Sequence, residues 1–233
     1  MAVALHSLPQ HTSDYPALLA RITDPPRRLW LRGDPRALAA PCVAIVGSRA
    51  ASTYGVRMAE QLAADLARAG ITVVSGLARG VDSAAHRGAL AAGPGGGRTV
   101  AILGSGVDVI YPPEHEALAQ QILDAHGALV SEVPPGSPPR RGNFPRRNRL
   151  ISGVSLAVVV VEASDRSGSL QTARCALEQG REVLAVPGPV VGERFRGSHG
   201  LLRDGAKLVE SASDILEELS WPDPPAFASL CGK

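Results

Sequence analysis

The side chains with chemical reach collect in a few short runs, and the densest is NFPRRNRLISG at 143–153. Arg140, Arg141, Arg146, Arg147 and Arg149 fall within ten residues, with Phe144 among them, in a chain whose formal charge is only +2. No acid lies between Glu132 and Glu162. Clustered guanidinium groups neutralise phosphates, and an aromatic ring beside them offers a face on which an unpaired base stacks. Asn148 adds an amide suited to ordering a turn or reaching a base edge. The alternative is a ring that plugs the core beneath solvated arginines, and the residues alone leave both readings open.

Four other runs carry candidate chemistry. In VGSRAASTYG (46–55) the small residues Gly47 and Ser48 let backbone N–H groups and a helix N-terminus approach an anion, and Arg49 adds a cationic fork. The run lacks the three-glycine dinucleotide fingerprint, and a tight packing turn with Arg49 in solvent fits it equally. SGLARGVDSAAH (75–86) lacks the Gly-Lys-Ser/Thr ending of an ATP phosphate loop, which argues against an ATPase. Asp82 and His86, one helical turn apart there, suit a structural contact or an acid–base couple, and two such groups are too few for a metal site. GSGVDVIYPPEH (104–115) brings Asp108 and Tyr111 beside glycines that permit close backbone approach. In EASDRSGSLQTA (162–173), Gly168 and Ser169 open a helix, and Ser167, Ser169 and Thr172 suit either capping or holding a phosphate oxygen.

These runs follow short apolar segments such as VAIVG, ITVVSG and SLAVVVVEA, each separated from the next by a helix-length pattern. Strands so apolar are buried on both faces, so the expected fold is α/β, a doubly wound, mostly parallel sheet with helices on both faces. Its groove belongs beyond the carboxyl ends of the strands, where the informative runs fall. Residues 1–40 read as an N-terminal extension packing on the core, 41–219 as the main domain, and 220–233 as a Pro-broken, loosely ordered tail. The segment 133–145 reads as a long, stiff loop. The helix pattern SASDILEEL places Ile215, Leu216 and Leu219 on one side, for packing on the domain's own sheet or on a second copy.

With 233 residues and 45% hydrophobic content the chain suits a soluble globular domain. Three cysteines without metal-ligand spacing exclude a disulfide scaffold. No signal peptide and no run of eighteen apolar residues is present, so a cytoplasmic protein with no membrane partner is expected.

Taken in order, VAIVGSRAASTYG, SGLARGVDSAAHRGAL, GSGVDVIYPPEH, GNFPRRNRLISGVS and VVVVEASDRSGSLQTARCALEQGREVLAVPG resemble the DNA-processing protein A family (DprA, also called Smf) from about residue 14 to 219. The resemblance implies an extended Rossmann-like domain that binds single-stranded DNA as a homodimer. It also implies protection of incoming strands and their loading with the RecA recombinase during natural transformation, without catalysis or cofactor. Gly47, Ser48 and Arg49 match the family's Gly-Ser-Arg turn, with Arg49 its central DNA-binding arginine. Arg141 and Phe144 match a basic and an aromatic residue that hold phosphate and base. Arg147, Asn148 and Arg149 fall in the Arg-Asn-Arg stretch, and Gly168, Ser169 and Thr172 complete the expected DNA-binding set. Where the family often has Gly-Cys-Asn, this chain has Gly197, Ser198 and His199. Many relatives carry a winged-helix domain behind, for which residues 220–233 are too short.

Two other readings compete. Rossmann-like enzymes that hydrolyse nucleotide N-glycosidic bonds are similar in topology, but they place a glutamate where this chain has SGSLQTA. Gln171 and Thr172 stand there, and no carboxylate lies between Asp165 and Glu178. A regulatory nucleotide sensor is the other, although five arginines exceed what one phosphate requires.

Overall fold

The central strand shows how the sequence builds the sheet. In β3 (Cys42–Val46) every residue is buried; Val43 and Ile45 enter the core on one face, while Cys42, Ala44 and Val46 enter the core on the other. A strand apolar on both faces must be covered on both faces. The computed structural model describes residues 4–93 and 97–219, so the expected tail at 220–233 and the middle of the GPGGG turn lie outside the described residues.

β3 pairs in parallel with β4 (Thr72–Ser75) on one side and β7 (Ala157–Val160) on the other. β5 (Thr99–Ile102) and β6 (Ala128–Ser131) extend the first side; β8 (Glu182–Ala185) and β9 (Lys207–Leu208) extend the second, all parallel. Two antiparallel strands, β2 (Arg28–Gly33) against β6 and β1 (Leu5–Pro9) against β2, complete a sheet that has nine strands among the described residues, in the order β1-β2-β6-β5-β4-β3-β7-β8-β9. The expected doubly wound, mostly parallel architecture is the one observed.

Helices α2 (Thr53–Arg68), α3 (Val81–Ala91) and α8 (Ala212–Glu217) cover one face. On the other lie α1 (Ala17–Ala20), α5 (Asn143–Gly153), α6 (Ser169–Glu178) and α7 (Arg196–Arg203). A further helix, α4 (Glu116–Asp124), packs with β5 and β6. Ile215, Leu216 and Leu219 pack into the core under α2, so the apolar side of α8 is taken up within its own domain. Ser198 accepts the Ala163 N–H at 3.0 Å, which holds α7 against the end of β7, while His199 stacks on Phe195 at the start of its own helix and lies 3.1 Å from the Gly188 carbonyl after β8.

The segment that reads as a loop through Pro145 is partly helical, because α5 begins at Asn143. Pro145 sits in the first turn, where a helix leaves its N–H groups unpaired in any case, so the proline costs little there. The preceding loop is tied down by Asp108, which accepts the Gly136 N–H at 2.7 Å. Among the described cysteines, Cys42 is buried and its thiol is pushed up to about 12 by desolvation, while Cys175 is half-buried. Among the described residues no helix is long and apolar enough to cross a membrane.

Candidate functional site

Strand order reverses at β3, whose neighbours β4 and β7 lead to opposite halves of the sheet. Loops leaving the carboxyl ends of strands diverge at such a switch point and open a crevice. Here the crevice is a groove of about 710 Å³. It is lined by Gly47, Ser48, Arg49, Arg141, Phe144, Arg147, Asn148, Gly168, Ser169 and Thr172, so ten of the eleven expected residues meet at one place. Arg149 is the exception.

The loop after β3 is held from both sides. Ser48 donates its N–H to the Glu162 carbonyl at 2.7 Å, and its own carbonyl accepts the Val81 N–H at 3.1 Å. Gly80 has φ +73, and a side chain there would collide with the Ser48 carbonyl, so the turn before α3 needs glycine. Arg49 emerges from this pinned turn exposed, without an acidic partner among the described residues, its guanidinium carbon 5.9 Å from the Phe144 ring centroid. The anion expected at the start of α2 is supplied by the protein. The buried Glu162 carboxylate accepts the Ser52 N–H at 3.0 Å and the Ser52 hydroxyl at 2.5 Å, with Arg194 at 3.6 Å.

α5 carries the arginine cluster, and its helical geometry sorts that cluster onto different faces. Asn143 donates to the Gly104 carbonyl at 2.9 Å and sets the start of the helix, leaving Phe144 half-buried at the groove wall. Arg147 points beneath the groove and is only 4% exposed. Its guanidinium occupies space that any side chain at position 76 would fill, so Gly76 is required by close approach. Burial lowers the Arg147 pKa, with Asp82 opposing that shift. The Asp82 carboxyl is pushed up by burial, against Arg147 and the backbone N–H groups of Gly76 and Ala78 that it accepts. Asn148 reaches the Gly168 carbonyl at 3.4 Å and bridges α5 to the loop before α6.

Arg149 faces away from the groove. It pairs with Glu132 at 2.7 Å and Asp24 at 3.4 Å, and Arg146 also meets Glu132, at 3.3 Å. The cluster that looks unbalanced in the sequence is therefore balanced in part by the acid at its upstream border. A helix repeating every 3.6 residues cannot point neighbouring side chains at one ligand.

Asp82 and His86 do not pair with each other. The Thr99 hydroxyl donates to the Val73 carbonyl at 2.7 Å, so His86, 2.8 Å from that hydroxyl, donates from Nδ1 and is neutral. Burial, then the neighbouring His115, Arg147 and Arg87, push its pKa from 6.5 down to about 3. Between those values the unfolded chain binds a proton that native His86 refuses, so stability falls as pH falls through this window. From pH 7 to pH 5 the His86 share of the loss is expected to be about 2 kcal/mol. Urea unfolding at the two pH values, with His86→Gln flattening the difference, checks it.

At the other end of the groove the N-terminus of α6 presents Ser169, whose hydroxyl lies 2.7 Å from that of Ser167, together with Thr172. The N-cap residue Gly168 has no side chain to cap this helix, and the Ser167 hydroxyl accepts the Ser169 N–H at 3.4 Å. Exposed Arg166, in the DRSGSLQT run but outside the set of residues expected from the sequence, borders the same end; Tyr111 lines the groove beside Phe144. Among the described lining residues the one carboxylate is Asp82.

An open-sheet α/β domain with a cationic, aromatic-walled groove at its switch point defines the class of protein. Residues 6–220 match the family of the DNA recombination-mediator protein A, and the chain belongs to that family. It is 48% identical to protein Smf of Escherichia coli over 225 residues, covering 94% of this chain and 59% of that protein's length. The X-ray structure of DNA processing protein A from Streptococcus pneumoniae superposes with a TM-score of 0.87 at 40% identity, over 93% of this chain and 75% of that one. DNA processing protein A from Helicobacter pylori, described with a unique single-stranded DNA binding mode, superposes with a TM-score of 0.81 at 29% identity, over 94% and 98%. The resemblance read from the motifs is thereby established as membership.

Proposed function

We propose that this chain binds single-stranded DNA along the switch-point groove, shields it and helps to load it with RecA during natural transformation, acting as a homodimer without catalysis or cofactor. One observation carries the reading. Arg49, Arg141 and Arg166 are exposed, lie on three different segments, have no acidic partner among the described residues, and border one groove walled by Phe144. Cations spaced along a groove beside an aromatic ring follow a phosphate backbone and stack bases whatever the sequence. The single-stranded DNA binding described for the Helicobacter pylori relative supports it.

Mobility shifts with single- and double-stranded oligonucleotides at several salt concentrations test the reading. With three phosphates neutralised, log K for single strands is expected to fall against log salt with a slope of about −2. Phe144→Ala is expected to weaken binding of an oligothymidylate by about tenfold with the fold intact. An unchanged affinity in that variant removes Phe144 from the mechanism.

The alternative, hydrolysis of a nucleotide N-glycosidic bond, draws on Asp82, a buried groove carboxyl with a raised pKa. Its Oδ2, however, accepts the N–H groups of Gly76 and Ala78 and shapes the β4–α3 loop. Incubation with nucleoside monophosphates decides: free base supports hydrolysis. A mononucleotide sensor is disfavoured because Glu162 already stands at the start of α2, where such folds commonly seat a phosphate.

A further inference from the structure

We infer that Tyr111 is a second base-stacking residue and that the angle between it and Phe144 selects single-stranded over double-stranded DNA. Tyr111 lies on the loop after β5, is 43% exposed and lines the groove. The other described tyrosines are tethered: Tyr15 donates its hydroxyl to the Pro26 carbonyl at 2.8 Å, and Tyr54 donates to the Pro187 carbonyl at 2.9 Å. The Tyr111 hydroxyl has no hydrogen-bond partner among the described residues, and its ring rests on Phe144, with centroids 5.5 Å apart and planes inclined at 47°. An aromatic left this open beside unpaired arginines gains from covering its face with another flat ring.

The geometry limits what that ring does. A base sandwiched between two rings needs them about 7 Å apart, twice the rise of about 3.4 Å per stacked nucleotide. At 5.5 Å the pair cannot open around one base without moving, so each ring serves its own. Consecutive bases placed on Phe144 and Tyr111 must then turn against each other by an angle near 47°. An unpaired strand does this by rotating about its backbone. A duplex holds successive bases parallel and paired, and would have to unstack to follow the two rings.

This inference rests on the groove reading above, and the experiment separates the two. Affinities are measured by fluorescence anisotropy for an oligothymidylate, an abasic strand of equal length and a duplex, with the wild-type chain, Tyr111→Ala, Tyr111→Phe and Phe144→Ala. Tyr111→Ala is expected to weaken oligothymidylate binding by about tenfold and Tyr111→Phe by less than about twofold. Neither changes affinity for the abasic strand or the duplex, so the preference for single strands falls by about tenfold in Tyr111→Ala. Equal losses on the abasic strand and the oligothymidylate overturn the inference, because the residue then acts through the loop. If Tyr111→Ala binds normally while Phe144→Ala does not, the two-ring platform falls and the groove stands. If both bind normally, neither ring takes a base and this inference fails, whereas the groove reading fails only if Arg49→Ala binds normally as well.

Discussion

Arg49→Ala is expected to lower affinity for a single-stranded oligonucleotide by roughly ten- to a hundredfold while leaving unfolding free energy within about 0.5 kcal/mol of wild type. The separation of the two effects follows from what Arg49 touches. Its guanidinium is exposed and near the Phe144 ring, and no acid among the described residues pairs with it, so truncation strands no buried charge. A hydrogen bond from a cation to a phosphate contributes about 1.5–3 kcal/mol, which sets the range. Arg149→Ala is the matched opposite. Arg149 is 14% exposed and pairs with Glu132, which is 7% exposed. Losing it leaves that carboxylate with Arg146 alone and is expected to cost about 3 kcal/mol of stability. Its effect on DNA affinity, measured where the variant remains folded, is expected to be small. Denaturant titrations beside binding isotherms distinguish the two arginines, and equal losses of affinity refute the division.

Glu162→Ala is expected to destabilise the domain by about 3 kcal/mol, a fall in Tm of about 6–12 °C for a chain of this size. The carboxylate is buried at the end of β7, where it satisfies Ser52 at the start of α2 and attracts Arg194 from the segment after β8. Three parts of the chain distant in sequence meet on this one side chain. Its removal leaves the Ser52 N–H without a partner and exposes the positive end of α2 to whatever anion is available. Glu162→Gln keeps the volume and an accepting oxygen, so it is expected to lose less. Calorimetry of both variants measures the difference, and a Tm within a degree or two of wild type for Glu162→Ala would remove the carboxylate from this role.

The apolar alternation made the sheet legible. Runs such as VAIVG, ITVVSG and SLAVVVVEA have no polar face, and only a layer covered on both sides buries them, so the strands, the parallel topology and the edge bearing the loops follow from local pattern. β1 and β2 were not legible in the same way. They join as antiparallel strands at the β6 edge, and strand pairing is a long-range choice between segments far apart in the chain.

Composition and order of motifs likewise placed Gly47, Ser48, Arg49, Arg141, Phe144, Asn148, Gly168, Ser169 and Thr172 at one groove. They could not say which arginines remain free. That depended on α5 being helical through its first-turn proline, which turned Arg147 under Gly76 and Arg149 toward Glu132. Nor could they show that Glu162 occupies the helix end whose small residues suit a ligand. Charge along a sequence is one-dimensional, whereas neutralisation acts over a few ångströms in space, so pairing was settled when distant segments packed together.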